Sequence, residues 1–131
     1  LSSDGFGWMG VSDLLVDREG TLWVATLGDG VSKRDGETWI TYRTSNSGIP
    51  GNAVTRILQD PAGQLWFGMA YSTEPGGFIA AFNGETWRSY SPQNSGYSGG
   101  EPFALVFDAE NRLWIGTQVD GVTIYQPQVE K

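Results

Sequence analysis

The sequence contains neither cysteine nor histidine. These absences exclude disulfides, Cys/His zinc sites, thiol nucleophiles and every Ser-His-Asp arrangement within the chain. Lack of cysteine suits the cytoplasm, and equally an oxidising compartment where stray thiols are a hazard, so it leaves location open. Long apolar runs are also missing. Nothing approaches the roughly 20 apolar residues of a membrane helix, so this chain is not expected to insert into a membrane. No secretory signal pattern opens it, which implies a start at a mature end or inside a longer protein. Basic residues are few, 8 against 15 acidic ones, for a formal charge of −7. Without a basic stripe to meet phosphates, nucleic acid is not an expected partner, and anionic membrane surfaces are disfavoured for the same reason.

What the sequence does have is glycine, 19 of 131 residues, and tryptophan, 6 of 131. Many turns with large aromatic anchors point to many short strands. The length suits one domain, able to bury roughly two-thirds of its unfolded surface.

Three segments of the chain repeat one another: Asp17-Arg-Glu-Gly-Thr-Leu-Trp23, Asp60-Pro-Ala-Gly-Gln-Leu-Trp66 and Asp108-Ala-Glu-Asn-Arg-Leu-Trp114. Their tryptophans stand 43 and then 48 residues apart. Gly30-Val31, Gly77-Phe78 and Gly121-Val122 follow in register, and Asp35-Gly36 through Trp39 to Tyr42 matches Asn83-Gly84 through Trp87 to Tyr90. Gly5-Phe6, Gly48-Ile49 and Gly96-Tyr97 each lie 12 residues before the repeat's aspartate. A period of forty-odd residues indicates an array of like units.

Within each unit, apolar runs of four to six residues are bounded by Gly, Asp, Asn and Pro and enriched in β-branched and aromatic residues, which predicts strands. Asp-x-x-Gly suits a hairpin turn, with Asn111 taking the left-handed position in the third copy. The first unit reads as strands Val11–Val16, Leu22–Thr26, Val31–Arg34 and Trp39–Tyr42. The second reads as Val54–Gln59, Leu65–Met69, Phe78–Phe82 and Trp87–Tyr90. The third supplies Phe103–Phe107, Leu113–Thr117 and Val122–Tyr125, with a fourth strand due only near residue 130. Four antiparallel strands per repeat are a propeller blade. The expected fold is therefore all-β: one β-propeller segment over residues 1–131, with blades at about 11–42, 54–90 and an incomplete 103–125, joined by loops 1–10, 43–53 and 91–102.

These motifs resemble the two-component-regulator propeller repeat. Val54-Thr-Arg-Ile57 through Asp60 to Trp66-Phe-Gly follows its pattern, as does Asp35-Gly36 through Tyr42, and the resemblance extends over essentially the whole chain. It implies a periplasmic or extracellular bacterial sensor module, with oligosaccharides among the ligands such propellers take. A weaker likeness links the chain to streptogramin-lyase propellers, which rely on a catalytic histidine that this sequence lacks. Membrane and kinase segments of the sensors have no counterpart here, so the signalling output is not encoded in these residues.

Propellers usually close with about four to eight blades, and three leave two apolar sheet faces uncovered. The partners expected are further blades of a longer propeller, or other copies of the chain. Ligands are expected on the end carrying the inter-blade loops and the loops 27–30, 70–77 and 118–121. There Trp8 departs from the repeat, which has Gly51 and Gly99 in its place, and the second blade's loop is longer by four residues and carries Tyr71 and Glu74. Trp8, Tyr71 and Glu74 suit a stacking platform with a hydrogen-bonding acid for a neutral polar ligand. The bland alternatives are that Trp8 plugs a blade interface and that Tyr71 and Glu74 form a plain solvated loop.

The remaining signals read as structural. Trp23, Trp66 and Trp114 are repeat anchors whose truncation should cost about 3–5 kcal/mol. Trp39 and Trp87 are half-buried anchors of the outer strands, and Asp17, Asp60 and Asp108 are turn residues fully explained by turn formation. Gly28-Asp29-Gly30 and Val119-Asp120-Gly121 lack the alternating oxygen ligands of a Ca²⁺ loop, so neither metal nor cofactor is expected. Asp13 and Arg56, on the innermost strands of adjacent blades, are candidates for a modest structural ion pair or for solvated residues beside the central channel. The leading expectation is a non-catalytic ligand-binding sensor module. A structural or self-assembling propeller is the rival, and a carboxylate-based lyase or hydrolase comes third.

Overall fold

The computed structural model describes residues 10–70, 78–90, 101–117 and 121–125. Those residues hold eleven strands and no helix. The first sheet runs β1 (Val11–Val16), β2 (Leu22–Thr26), β3 (Val31–Asp35) and β4 (Thr38–Tyr42), in chain order and antiparallel throughout. The second repeats it with β5 (Val54–Gln59), β6 (Leu65–Met69), β7 (Phe78–Phe82) and β8 (Trp87–Tyr90). The third holds three strands, β9 (Pro102–Phe107), β10 (Leu113–Thr117) and β11 (Val122–Tyr125). The expected propeller blades are thus present, the third without an outer strand among the described residues. Three strands run one residue beyond their sequence-based limits, at Asp35, Thr38 and Pro102.

The turn joining the first two strands is built alike in every blade. In blade one the Gly20 N–H donates to the Asp17 carbonyl and the Asp17 N–H to the Thr21 carbonyl, both at 2.9 Å. Asp60 and Asp108 close the same pair of bonds with Gly63 and Gln64, and with Asn111 and Arg112. The fourth turn residue sits at positive φ, 85° at Gly20, 95° at Gly63 and 63° at Asn111. Glycine serves there because it has no Cβ penalty, and asparagine is the next best tolerated.

A strand sends alternate side chains to opposite faces, and the faces of neighbouring blades meet. From blade one, Leu15, Trp23, Ala25 and Val31 pack on Ile57, Phe67, Ala80 and Phe82 of blade two. From blade two, Leu58, Trp66, Ile79 and Ala81 pack on Leu105, Phe107, Leu113 and Ile115 of blade three. The forward face of each blade, the one carrying the tryptophan of its second strand, therefore covers the rear face of the next. Blade two is covered on both sides, and all five residues of β6 are buried. Ring contacts follow the same plan. Trp23 stacks on Tyr42 of its own blade at 5.9 Å and meets Phe67 of the next at 6.2 Å, while Trp66 stacks on Tyr90 at 5.6 Å and meets Phe107 edge-on at 5.7 Å.

The register corrects one sequence alignment. Ile79 pairs with Gly68 as Val31 pairs with Ala25 and Val122 with Gly116. Ile79, not Phe78, is therefore the counterpart of Val31, and the second blade's insertion counts five residues rather than four. The apolar pair Phe78-Ile79 allows either alignment in sequence, and the forward face decides it: Ile79 packs beside Trp66.

Candidate functional site

Each repeat aspartate does more than form its turn, which corrects the reading that turn formation explains it fully. One oxygen of Asp17 accepts the backbone N–H groups of Glu19 and Thr21, and the other accepts the Trp23 indole N–H at 2.9 Å. Asp60 takes the Gln64 N–H and the Trp66 indole N–H at 2.9 Å, in a setting only 6% exposed. Asp108 takes the N–H groups of Glu110 and Arg112, and the Trp114 indole N–H at 2.8 Å. The carboxylate fixes the tryptophan's orientation while the indole ring fills the blade junction. The unvarying six-residue step from aspartate to tryptophan is the sequence signal for this clamp. The Trp114 indole N–H foremost, then the Arg112 backbone N–H, hold Asp108 well below the usual carboxylate range.

The inner strands β1, β5 and β9 adjoin one another and carry hydrogen bonds between blades. The Ser12 hydroxyl donates to the Val54 carbonyl, and at the equivalent place the Thr55 hydroxyl donates to the Pro102 carbonyl. Of the two readings of Asp13 and Arg56, the ion pair is not formed. Asp13 accepts the Ile57 N–H of the next blade at 2.9 Å and the Leu14 N–H of its own, while Arg56 donates to the adjacent Thr55 carbonyl at 2.7 Å. The backbone N–H of the facing strand lies within reach of the short aspartate side chain and takes its place as partner. At the turn end, Arg18 donates to the carbonyls of Asp60 and Pro61, tying blade one to blade two.

The loop end is stiffly framed where it is described. The Gly30 N–H donates to the Asn52 carbonyl at 2.8 Å, the Thr44 N–H to the Asn52 side chain at 2.9 Å, and the Asn46 side chain to the Thr41 carbonyl at 2.9 Å. Gly30 has φ 76°, and an added Cβ would stand 2.0 Å from the Tyr42 carbonyl oxygen, so only glycine fits. This frame carries the exposed Leu27 and, two residues on, Asp29, which faces Arg43 at 4.0 Å with both side chains partly open to solvent. Sequence reading missed this trio. The expected ligand end includes loop 27–30, but nothing in the sequence singles out these side chains, because Arg43 lies 14 residues from Asp29 in a loop without repeat register.

Trp8, Tyr71 and Glu74 lie outside the described residues. At the opposite end, a cavity of about 260 Å³ opens between blades one and two, lined by Asp17, Glu19, Trp23, Lys33, Gln59 and Asn83 among others. The Lys33 ammonium lies 5.6 Å from the Trp23 ring centre. Most polar groups lining it are already engaged: Asp17 in its clamp, Gln59 with the Arg18 N–H and the Gly63 carbonyl, and Asn83 in its own turn. Among the described residues, no three acidic side chains converge as metal ligands.

A family model described as the two component regulator propeller matches residues 5–28 and 48–71. The fold is similar to the extracellular domain of a B. thetaiotaomicron protein assigned as a one component system, at TM-score 0.69 and 19% identity. It is similar also to that of a B. thetaiotaomicron protein assigned as a hybrid two component system, at 0.68 and 21%. Those alignments cover 92% and 90% of this chain, which spans only 17% of either domain. Virginiamycin B lyase from Staphylococcus aureus aligns at TM-score 0.61 and 14% identity, over 93% of this chain and 43% of the lyase. Likeness at such identities speaks for the fold alone. No curated protein matches the sequence. Residues 5–28 and 48–71 thus match the two component regulator propeller repeat, in a chain whose described residues fold as stacked propeller blades.

Proposed function

We propose that the chain is a non-catalytic, ligand-binding propeller module of an extracytoplasmic bacterial sensor, and that its loop end receives a small polar ligand, an oligosaccharide being the leading class. The observation that carries this reading is the loop end itself. Its backbone is cross-bonded from Gly30 to Asn52, yet it leaves a carboxylate, a guanidinium and an apolar side chain open to solvent. A rigid frame bearing a few exposed polar groups beside apolar surface is how neutral polar ligands are held. The repeat match adds support, as does the kinship of fold with extracellular domains of regulators. A lyase reading finds no histidine in the chain to carry it.

A thermal-shift screen with oligosaccharides and small metabolites tests the proposal. A ligand at about 100 times its Kd stabilises the folded chain by about 2.7 kcal/mol and raises the melting temperature accordingly. The Arg43→Ala and Trp8→Ala variants should weaken that shift. A screen with no shift contradicts ligand binding, and an unchanged shift in both variants moves the site off the loop end.

A further inference from the structure

The two outer faces of the blade stack are the mating halves of the interface found twice inside the chain. On the forward face of blade three, Val106, Trp114 and Ile124 are cross-strand partners, flanked by Ala104, Gly116 and Val122. The counterparts of Val106, Trp114 and Val122 are Leu15, Trp23 and Val31 in blade one and Leu58, Trp66 and Ile79 in blade two, all of them in blade junctions, and Ile124 stands where blade two has the junction residue Ala81. In blade three the same positions stand open: Val106 is 60% exposed, Val122 63% and Ile124 48%. On the rear face of blade one, Leu14 (60% exposed) and Val16 (64%) flank the buried Val24. Leu14 corresponds to Ile57 and Leu105, which the preceding blade covers.

We propose that two copies of the chain close head to tail, the forward face of blade three in each copy seating on the rear face of blade one in the other. The occupant is fixed by the interface already present. Within the chain, a forward face carrying tryptophan is covered twice, both times by the rear face of a like blade. Residue types at the new junction agree with this. Ser12 and Thr55 carry hydroxyls across the inner strands, and their counterpart is Phe103; Asp13 and Arg56 give way to Ala104. On the other side, the Leu14 N–H, whose counterpart Ile57 N–H needs Asp13 from the preceding blade, is already met by Asp13 of its own strand. The junction thus demands few polar links and brings apolar surface to apolar surface, which favours association. Two copies of the three described sheets give six blades, inside the usual range of about four to eight.

Light scattering coupled to size exclusion, on the full chain across a concentration series, tests this. The expected mass is twice the 14.2 kDa of one chain. Leu14→Asp and Val106→Asp, both at exposed sites, should each halve the mass, with near-UV circular dichroism confirming the fold. An equimolar mixture of the two variants keeps one intact junction and should return to twofold mass. A wild-type monomer overturns the proposal and leaves these faces to blades of a longer chain. Mass growing with concentration past two copies overturns ring closure. Association lost in Val106→Asp but kept in Leu14→Asp overturns the head-to-tail arrangement in favour of forward face on forward face.

Discussion

A single residue pair, aspartate and the tryptophan six positions later, ties each turn to its blade junction. Phenylalanine in place of Trp66 keeps a ring but removes the indole N–H from a buried carboxylate. Trp66→Phe is expected to cost about 1–3 kcal/mol, read from the urea midpoint, because an under-satisfied buried acceptor bears its own desolvation penalty. Trp114→Phe, at the partly open forward face, should cost less; equal losses at both sites would contradict the role given to burial. Asp108 adds a pH dependence. Its folded pKa lies below the ordinary value of 3.8, so the folded state binds this proton less readily than the unfolded chain. The stabilisation is present above that value and is lost as pH falls through and below it. Asp108→Asn should flatten the acid limb of a stability-against-pH curve, and an unchanged limb would contradict the assignment. Gly30→Ala should destabilise by about 2 kcal/mol or more, since positive φ and the Tyr42 carbonyl both oppose a Cβ.

At the level of strands and sheets, much was legible in the sequence for a physical reason. Turn chemistry recurs in every repeat: Asp17, Asp60 and Asp108 open the hairpin, and Gly20, Gly63 and Asn111 close it at positive φ. Strands between such fixed points have little freedom of register, so their limits differ from expectation by one residue at Asp35, Thr38 and Pro102. Where no turn residue pins the chain, the reading slipped. The insertion before β7 allowed Phe78 or Ile79 to face the junction, and only packing beside Trp66 decides between them. Side-chain partners were less legible still. Asp13 looked like a partner for Arg56 because opposite charges occupy equivalent places, but a backbone N–H of the adjoining blade is the partner it takes. Arg43 and Asp29 come together only once the loop has folded over the blade end. The inner-strand hydroxyl links make an element-scale prediction. Thr55→Val preserves shape but frees the buried Pro102 carbonyl, and should cost about 1–3 kcal/mol by chemical denaturation. No loss would mean that apolar packing alone sets the angle between blades.

For the molecule as a whole, stability is shared unequally along the stack. Blade two is covered on both faces, whereas among the described residues blade one leaves Leu14 and Val16 open on its rear face and blade three leaves Val106, Val122 and Ile124 open on its forward face. Apolar surface left open on an outer face forgoes burial worth roughly 25 cal/mol for each Å² left wet. The loop end that we propose as the ligand platform rests on this stack, so its rigidity is inherited from the junction between blades one and two. Native-state hydrogen exchange on the Val106→Asp variant, in which the chain stands alone, reads that distribution most directly. Trp23, Trp66 and Trp114 occupy equivalent places in the three blades, and their amides are compared. The slowest exchange is expected at Trp66. Equal protection at all three would show that each blade stands by itself, contradicting the claim that every blade depends on its neighbours.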